Sequence, residues 1–206
     1  MLEDLVRRAA EELRLREQAI DEVMARARRA MVQSKQAIQQ IHVGAMDEAQ
    51  LKLGEVAEIL RAMEELIAER AELGCFDAVK AALQEYSEAR ILHGVVSSGT
   101  LPTPEEVGVS IDTYILGLGD VPGELRRQFL DALRLGDLET AEDRLDTMEG
   151  IYLGLVSMEE GPLLKGLRRK MDIARGVIER TRSELTAEVG RRRLSESVKR
   201  LSEKLG

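Results

Sequence analysis

The chain has 206 residues, a formal net charge of −8 and only 2% aromatic residues, with Ala, Leu, Glu and Arg as its main residue types. These types are good helix formers, so the composition predicts an all-α protein and argues against a β-sheet. The length and the 44% hydrophobic content predict one domain over residues 1–206.

Features that direct a chain to or across a membrane are not found in this sequence. Cys75 is its one cysteine and cannot form an internal disulfide. No signal-peptide pattern begins the chain, and its apolar runs are far shorter than the roughly 20 residues that cross a bilayer. We therefore expect no membrane association and a cytoplasmic location.

The helices are predicted from the spacing of apolar residues and from Gly and Pro. Residues 3–42 have no Gly or Pro and form a long amphipathic pattern. The two prolines of residues 97–104 predict an extended loop. This pattern predicts an antiparallel helical bundle of about six helices. The later helices are predicted over residues 47–73, 76–96, 109–135, 138–157 and 163–204, the last with a break at Gly190 as an alternative.

Three glycines, Gly44, Gly74 and Gly136, are each followed within three residues by Asp. Gly can end a helix in the left-handed conformation and Asp favours the start of the next, so each is predicted to be a helix-to-helix turn. Their spacing also suits an α-solenoid, but the first helix is too long for such a repeat.

Charge is distributed unevenly along the chain. Residues 1–46, 47–160 and 161–206 carry net charges of +1, −16 and +7. Residues 24–46 contain four basic residues and no acid. Because the local field decides binding, basic ends can contact phosphate despite the acidic total, although charged helix faces are also often merely solvated.

Two acid pairs lie at helical spacing. Glu85 and Glu88 are three residues apart, and Asp120 and Glu124 are four apart. If the pairs face each other, four like charges lie together, and a divalent cation would offset their repulsion. All-oxygen ligands suit Mg²⁺, Mn²⁺ or Ca²⁺. From the residues alone, four separately solvated helix charges are an equally good interpretation.

The two histidines, His42 and His93, bear on the choice of metal. A ferritin-like di-iron site requires Glu three residues before His on each of two helices. Neither histidine has this neighbour. We therefore disfavour iron and expect both histidines to be structural.

Helix-breaking residues crowd the second acid pair. Gly117, Gly119, Pro122 and Gly123 lie where a helix is predicted, although Gly costs about 1 kcal/mol and Pro about 3 kcal/mol in a helix interior. Small residues permit close helix approach, and a proline kink can turn acids inward. This run therefore strengthens the interpretation of the acids as a site.

Several segments resemble the translin superfamily. Residues 114–127 (YILGLGDVPGELRR), continuing to residues 132–139 (ALRLGDLE), are similar to its signature segment. Residues 31–44, 83–88 (LQEYSE) and 167–172 (LRRKMD) resemble other blocks of the family in the same order. Together they cover most of the chain.

The resemblance implies a Trax-like catalytic subunit, because the Trax pattern of four acids is matched by Glu85, Glu88, Asp120 and Glu124. It implies an endoribonuclease that uses these acids to hold Mg²⁺, with Mn²⁺ as a substitute. It also implies a seven-helix protomer in a barrel-like homo-octamer that encloses RNA, or single-stranded DNA. The short loops are similar to those of archaeal members.

Basic side chains are the candidates for phosphate contact. Scarce aromatic residues argue against base stacking, so we expect recognition of the backbone or of duplex shape. The candidates are Arg26, Arg29, Lys35, Arg126, Arg127, Arg168, Arg169, Arg192 and Arg193.

Two other functions remain as alternatives. One is a non-catalytic translin-like protein that binds RNA or single-stranded DNA. The other is an all-α nucleotide pyrophosphohydrolase, whose second acid pair normally reads Glu-x-x-Asp, unlike the Asp-x-x-x-Glu found here.

Overall fold

The computed structural model describes residues 1–158 and 164–205, and within them the regular elements are helices. The predicted all-α fold class is confirmed. Residue 163, the predicted start of the last helix, and residue 206 lie outside the described residues. The helices are α1 (Leu2–His42), α2 (Met46–Glu69), α3 (Asp77–Ser98), α4 (Pro104–Val107), α5 (Ile111–Leu118), α6 (Val121–Leu135), α7 (Leu138–Val156) and α8 (Leu167–Leu205).

The chain divides into two compact units, Met1–Gly117 and Leu118–Gly206. The single domain over residues 1–206 stays a prediction. No helix in the described part of the chain is both long and apolar enough to cross a membrane.

In the first unit, α1, α2 and α3 pack on one another. Gly44 has a φ of 78° and ends the turn after α1, as predicted. Because alanine side chains are short, the alanines on α1 let its neighbours pack closely. The buried residues of α1 are Val23, Ala27, Ala30, Ser34, Ala37, Ile38 and Ile41.

In the second unit, α6, α7 and α8 pack on one another. Phe129, Ala132 and Ala141 form a buried cluster, and Leu133 and Leu185 pack against it. Burial of a phenylalanine side chain stabilises a fold by about 1.5–3 kcal/mol. Helix α8 is continuous over its described length, so the alternative break in the last helix does not occur.

The segment predicted as one helix over residues 109–135 is two helices, which corrects the prediction. Helix α5 ends at Leu118 and α6 begins at Val121. Pro122 is the second residue of α6, where its missing N–H is tolerated, whereas within a longer helix it would break a hydrogen bond. The helix-breaking residues therefore separate two helices instead of kinking one.

The predicted loop over residues 97–104 is shorter than expected. Helix α3 continues to Ser98, and Gly99 ends it with a φ of 69°. Thr103 and Glu106 form a capping box that starts α4 at Pro104. This proline begins a helix because the first helical position needs no N–H donor.

The predicted helix over residues 47–73 also ends early. Helix α2 stops at Glu69, and a 3₁₀ turn, Ala71–Cys75, leads to α3. Boundaries of this kind are the least certain part of a pattern-based prediction.

Candidate functional site

The first acid pair lies on one face of α3. Glu88 is 7% exposed, and the Glu85 side chain is 23% exposed. Lys35 of α1 places its Nζ 3.7 Å from Glu85 Oε2. Withdrawing carboxylates from water costs free energy unless cations or hydrogen-bond donors compensate. Lys35 is one such cation beside Glu85.

Helix α5 approaches this part of α3 at Gly117. A Cβ at residue 117 would lie 2.8 Å from both Cβ and Oγ of Ser87 and 3.0 Å from the backbone N of Glu88. Only glycine fits without a shift of one helix. The prediction of close approach through small residues is confirmed here. The same prediction is wrong for Gly123, because a Cβ at this residue would have no atom within 4 Å.

Two titratable side chains of α3 flank the acids. Burial raises the pKa of Tyr86, and the charge of Arg90 opposes that shift. Burial lowers the pKa of His93, against the effect of a hydrogen bond to the backbone of Met46. The hydrogen bond between His93 and the backbone at the start of α2 fits a structural role.

The second acid pair lies at the start of α6. Asp120 is the residue before the helix, and Glu124 lies in its first turn. Lys170 of α8 places its Nζ 2.5 Å from Asp120 Oδ2, and the two side chains are 18% and 30% exposed. The sequence prediction omitted Lys170. The one sequence feature that points to Lys170 is its place in the segment LRRKMD, next to Arg168 and Arg169, which are predicted to contact phosphate.

The two acid pairs belong to different units. Within either unit, no three His, Cys, Asp or Glu residues of the described part of the chain form a group able to hold a metal ion. The four-carboxylate cluster stays a prediction. Its donors are all oxygen atoms, and that chemistry fits Mg²⁺ or Mn²⁺.

Two of the basic candidates connect α6 to α8. Arg126 donates from Nη1 to Thr181 Oγ1 and from Nη2 to Glu184 Oε1, both at 2.8 Å. Arg192 donates to the backbone oxygen of Gly136 at the end of α6. Both side chains therefore have roles within the second unit, and their contact with phosphate stays a prediction.

The remaining basic candidates differ in exposure. Arg26 pairs with Glu22 at 2.6 Å, and Lys35 is the exposed residue that pairs with Glu85. Long, exposed guanidinium groups are the best placed for phosphate contact. The candidates with exposed side chains are Arg29, Arg127, Arg168, Arg169 and Arg193.

The fold defines an all-helical protein of the kind expected from the sequence. Residues 3–182 match the Translin family, and the chain belongs to that family. The resemblance seen in the sequence is thus confirmed. The matched region runs across both units.

Individual relatives agree with this assignment. An uncharacterized protein of Methanocaldococcus jannaschii is 31% identical over 156 residues, which are 75% of this chain and 69% of the relative. The crystal structure of AfC3PO matches with a TM-score of 0.79 and 33% identity over 93% of this chain and 99% of AfC3PO.

Two further structures have the same fold. AfC3PO in complex with duplex RNA matches with a TM-score of 0.74 and 32% identity over 93% of this chain and 98% of the other. The structure of apo-NeC3PO has a TM-score of 0.80 over 89% of this chain and 96% of the other, and at 24% identity it shows the fold alone.

Proposed function

We propose that this chain is a Trax-like, Mg²⁺-dependent endoribonuclease. Glu85, Glu88, Asp120 and Glu124 hold the ion. The observation that carries the proposal is Glu88, a carboxylate that is 7% exposed and one helical turn from a second acid. Buried charged groups are usually paired or coordinate metals, and the second acid one turn away makes metal binding the role that we propose for Glu88.

RNA is the proposed substrate. The support is the complex of AfC3PO, 32% identical to this chain, with duplex RNA. We further propose that the protein is a cytoplasmic, archaeal homo-octamer that encloses its substrate. The exposed arginines bind the phosphate backbone, and because this contact reads no bases, single-stranded DNA is a second ligand to test.

The mechanism is metal-assisted hydrolysis of a phosphodiester. Mg²⁺, when bound, lowers the pKa of a water ligand and offsets charge on the phosphate in the transition state. The four carboxylates bind and orient the ion. The arginine side chains hold the strand by its phosphates, and Lys35 beside Glu85 reduces the repulsion within the first acid pair.

The proposal is tested by incubating a labelled short RNA with the protein in Mg²⁺ or in chelator. We expect cutting only with Mg²⁺, and we expect Glu124→Gln to abolish it while RNA binding is retained. The matched control is Glu139→Gln, which changes an exposed acid in the first turn of α7 and should leave cutting intact. Undiminished cutting by Glu124→Gln would refute the assignment of the acids.

A translin-like binder without catalysis is the second candidate. One observation favours it: each acid pair already has a lysine beside one member, Lys35 at Glu85 and Lys170 at Asp120. Ammonium groups can stabilise these acids without a metal. RNA that is bound but stays intact with Mg²⁺ and with Mn²⁺ would establish this function instead.

A further inference from the structure

An aspartate that precedes a helix usually accepts hydrogen bonds from the first backbone N–H groups of that helix. Asp137, before α7, follows this rule and accepts from the backbone N of Thr140 at 3.0 Å. Asp120 has the equivalent position before α6, and its side chain makes no capping hydrogen bond. The Asp120 carboxylate is therefore oriented by something other than α6.

The backbone of Asp120 is in the αR conformation, whereas a capping residue is typically extended. The residues after Asp120 add to this difference. Pro122, the second residue of α6, has no N–H to donate. Gly123, the third residue, donates its N–H to the backbone oxygen of Asp120 at 2.9 Å. The two donors that a capping side chain normally uses are thus missing or already engaged, and the start of α6 does not fix the carboxylate.

The Lys170 side chain contacts the Asp120 carboxylate and orients it, which the start of α6 does not do. Its Nζ donates to Asp120 Oδ2 at 2.5 Å, and only 18% of the Lys170 side chain is exposed. Further along the same two helices, Arg126 of α6 bonds Thr181 of α8. Because α8 is attached to α6 beyond this point as well, the lysine approaches Asp120 from a fixed direction.

We infer that Lys170 is a positioning residue for the divalent cation. Its ammonium group holds the Asp120 carboxylate in the orientation in which this acid binds the ion, and it cannot itself be a ligand while charged. Partners that orient a ligand in this way typically contribute 10- to 100-fold to metal affinity. The inference rests on the proposed function, because it takes Asp120 as a metal ligand.

The test is Mn²⁺ binding to the full chain, followed by electron paramagnetic resonance, with thermal unfolding measured in parallel. We expect Lys170→Met to weaken Mn²⁺ binding about 10- to 100-fold and to lower the Tm through loss of the ion pair, and Lys170→Arg, which keeps a charged donor, to recover most of the affinity and of the Tm. Lys199→Met removes an exposed charge from the same helix and should change nothing. If Lys170→Met does not fold, Lys170→Gln is measured in its place.

Equal or tighter Mn²⁺ binding by the Lys170 variant would overturn the inference, as would a wild type that binds no Mn²⁺. RNA cutting is recorded on the same samples. A wild type that binds Mn²⁺ without cutting RNA, together with weakened binding by the variant, would refute the nuclease and support the role of Lys170. If the wild type cuts RNA and Lys170→Met binds Mn²⁺ as tightly as the wild type, the nuclease function stands and the positioning role of Lys170 is refuted.

Discussion

The starts of α6 and α7 have the same local sequence but use it differently. Leu-Gly-Asp precedes each helix, ending at Asp120 and at Asp137. The Asp137 carboxylate caps α7, and its hydrogen bonds to Thr140 hold the pKa of Asp137 below its ordinary value. The Asp120 carboxylate bonds Lys170 on another helix. Identical residues therefore serve local structure in one place and a tertiary contact in the other.

The backbone conformation of each aspartate and the residues that follow it decide which role the aspartate takes. Thr140, in residues 138–140 (LET), donates its backbone N–H to Asp137, whereas the Asp120 side chain makes no capping hydrogen bond to α6, which begins with residues 121–123 (VPG). An acid can therefore bond a side chain of another helix when the local backbone does not use it. Three experiments test how far the local backbone and the packing of neighbouring helices set the two acid pairs.

The first experiment asks whether the other acid pair is also set by tertiary packing. Gly117→Ala places a Cβ 2.8 Å from the Ser87 side chain, so α5 must move away from α3. We expect a loss of about 1–3 kcal/mol in the free energy of unfolding, as for other overpacked sites. Urea denaturation measures it.

The matched control is Gly150→Ala in α7. A Cβ there would meet nothing within 4 Å. Alanine favours a helix over glycine by about 1 kcal/mol, so this variant should be slightly stabilised. Equal stability changes in Gly117→Ala and Gly150→Ala would show that the close approach at Glu88 does not constrain the first pair.

The second experiment makes the start of α6 resemble that of α7. Pro122→Ala restores an N–H at the second helical position, and we expect the Asp120 backbone to change from αR to extended so that its carboxylate caps the helix in competition with Lys170. The stability should change by about 1 kcal/mol or less, while Mn²⁺ affinity should fall several-fold. Hydrogen exchange of the new amide, measured by NMR, reports the cap. A protected amide with unaltered Mn²⁺ affinity would show that capping of α6 by Asp120 does not affect ion binding.

The third experiment tests the cap on α7 by its pH dependence. Because the folded pKa of Asp137 is lowered, its charge stabilises the fold above the unfolded pKa of about 3.9, and this contribution is lost as pH falls through the folded value. Asp137→Ala should therefore have a lower Tm than the wild type at pH 7, and the charge-dependent part of that difference should disappear in more acidic solution. Asp137→Asn keeps an acceptor oxygen, so its Tm should be close to that of the wild type at either pH. If the Tm difference between the wild type and Asp137→Ala grew as the pH fell, the Asp137 carboxylate would not stabilise α7 as a cap.

Local sequence patterns are sufficient to predict the helical fold class, most helix boundaries and the family. Periodic apolar residues specify helices locally, so α1, α3 and α7 lie close to their predicted ranges, and α1 also lacks Gly and Pro. The turn at Gly136 was equally predictable, because a left-handed glycine followed by a capping aspartate is a local signal.

Tertiary structure alone decided what surrounds the acids. Lys170 is 50 residues from Asp120, and no local pattern pairs two such distant side chains. Likewise, Arg126 and Arg192 look like any other exposed arginine in the sequence, yet contacts between helices engage both. Side-chain partners of this kind depend on which helix faces meet, and that is settled by packing rather than by the order of residues along one helix.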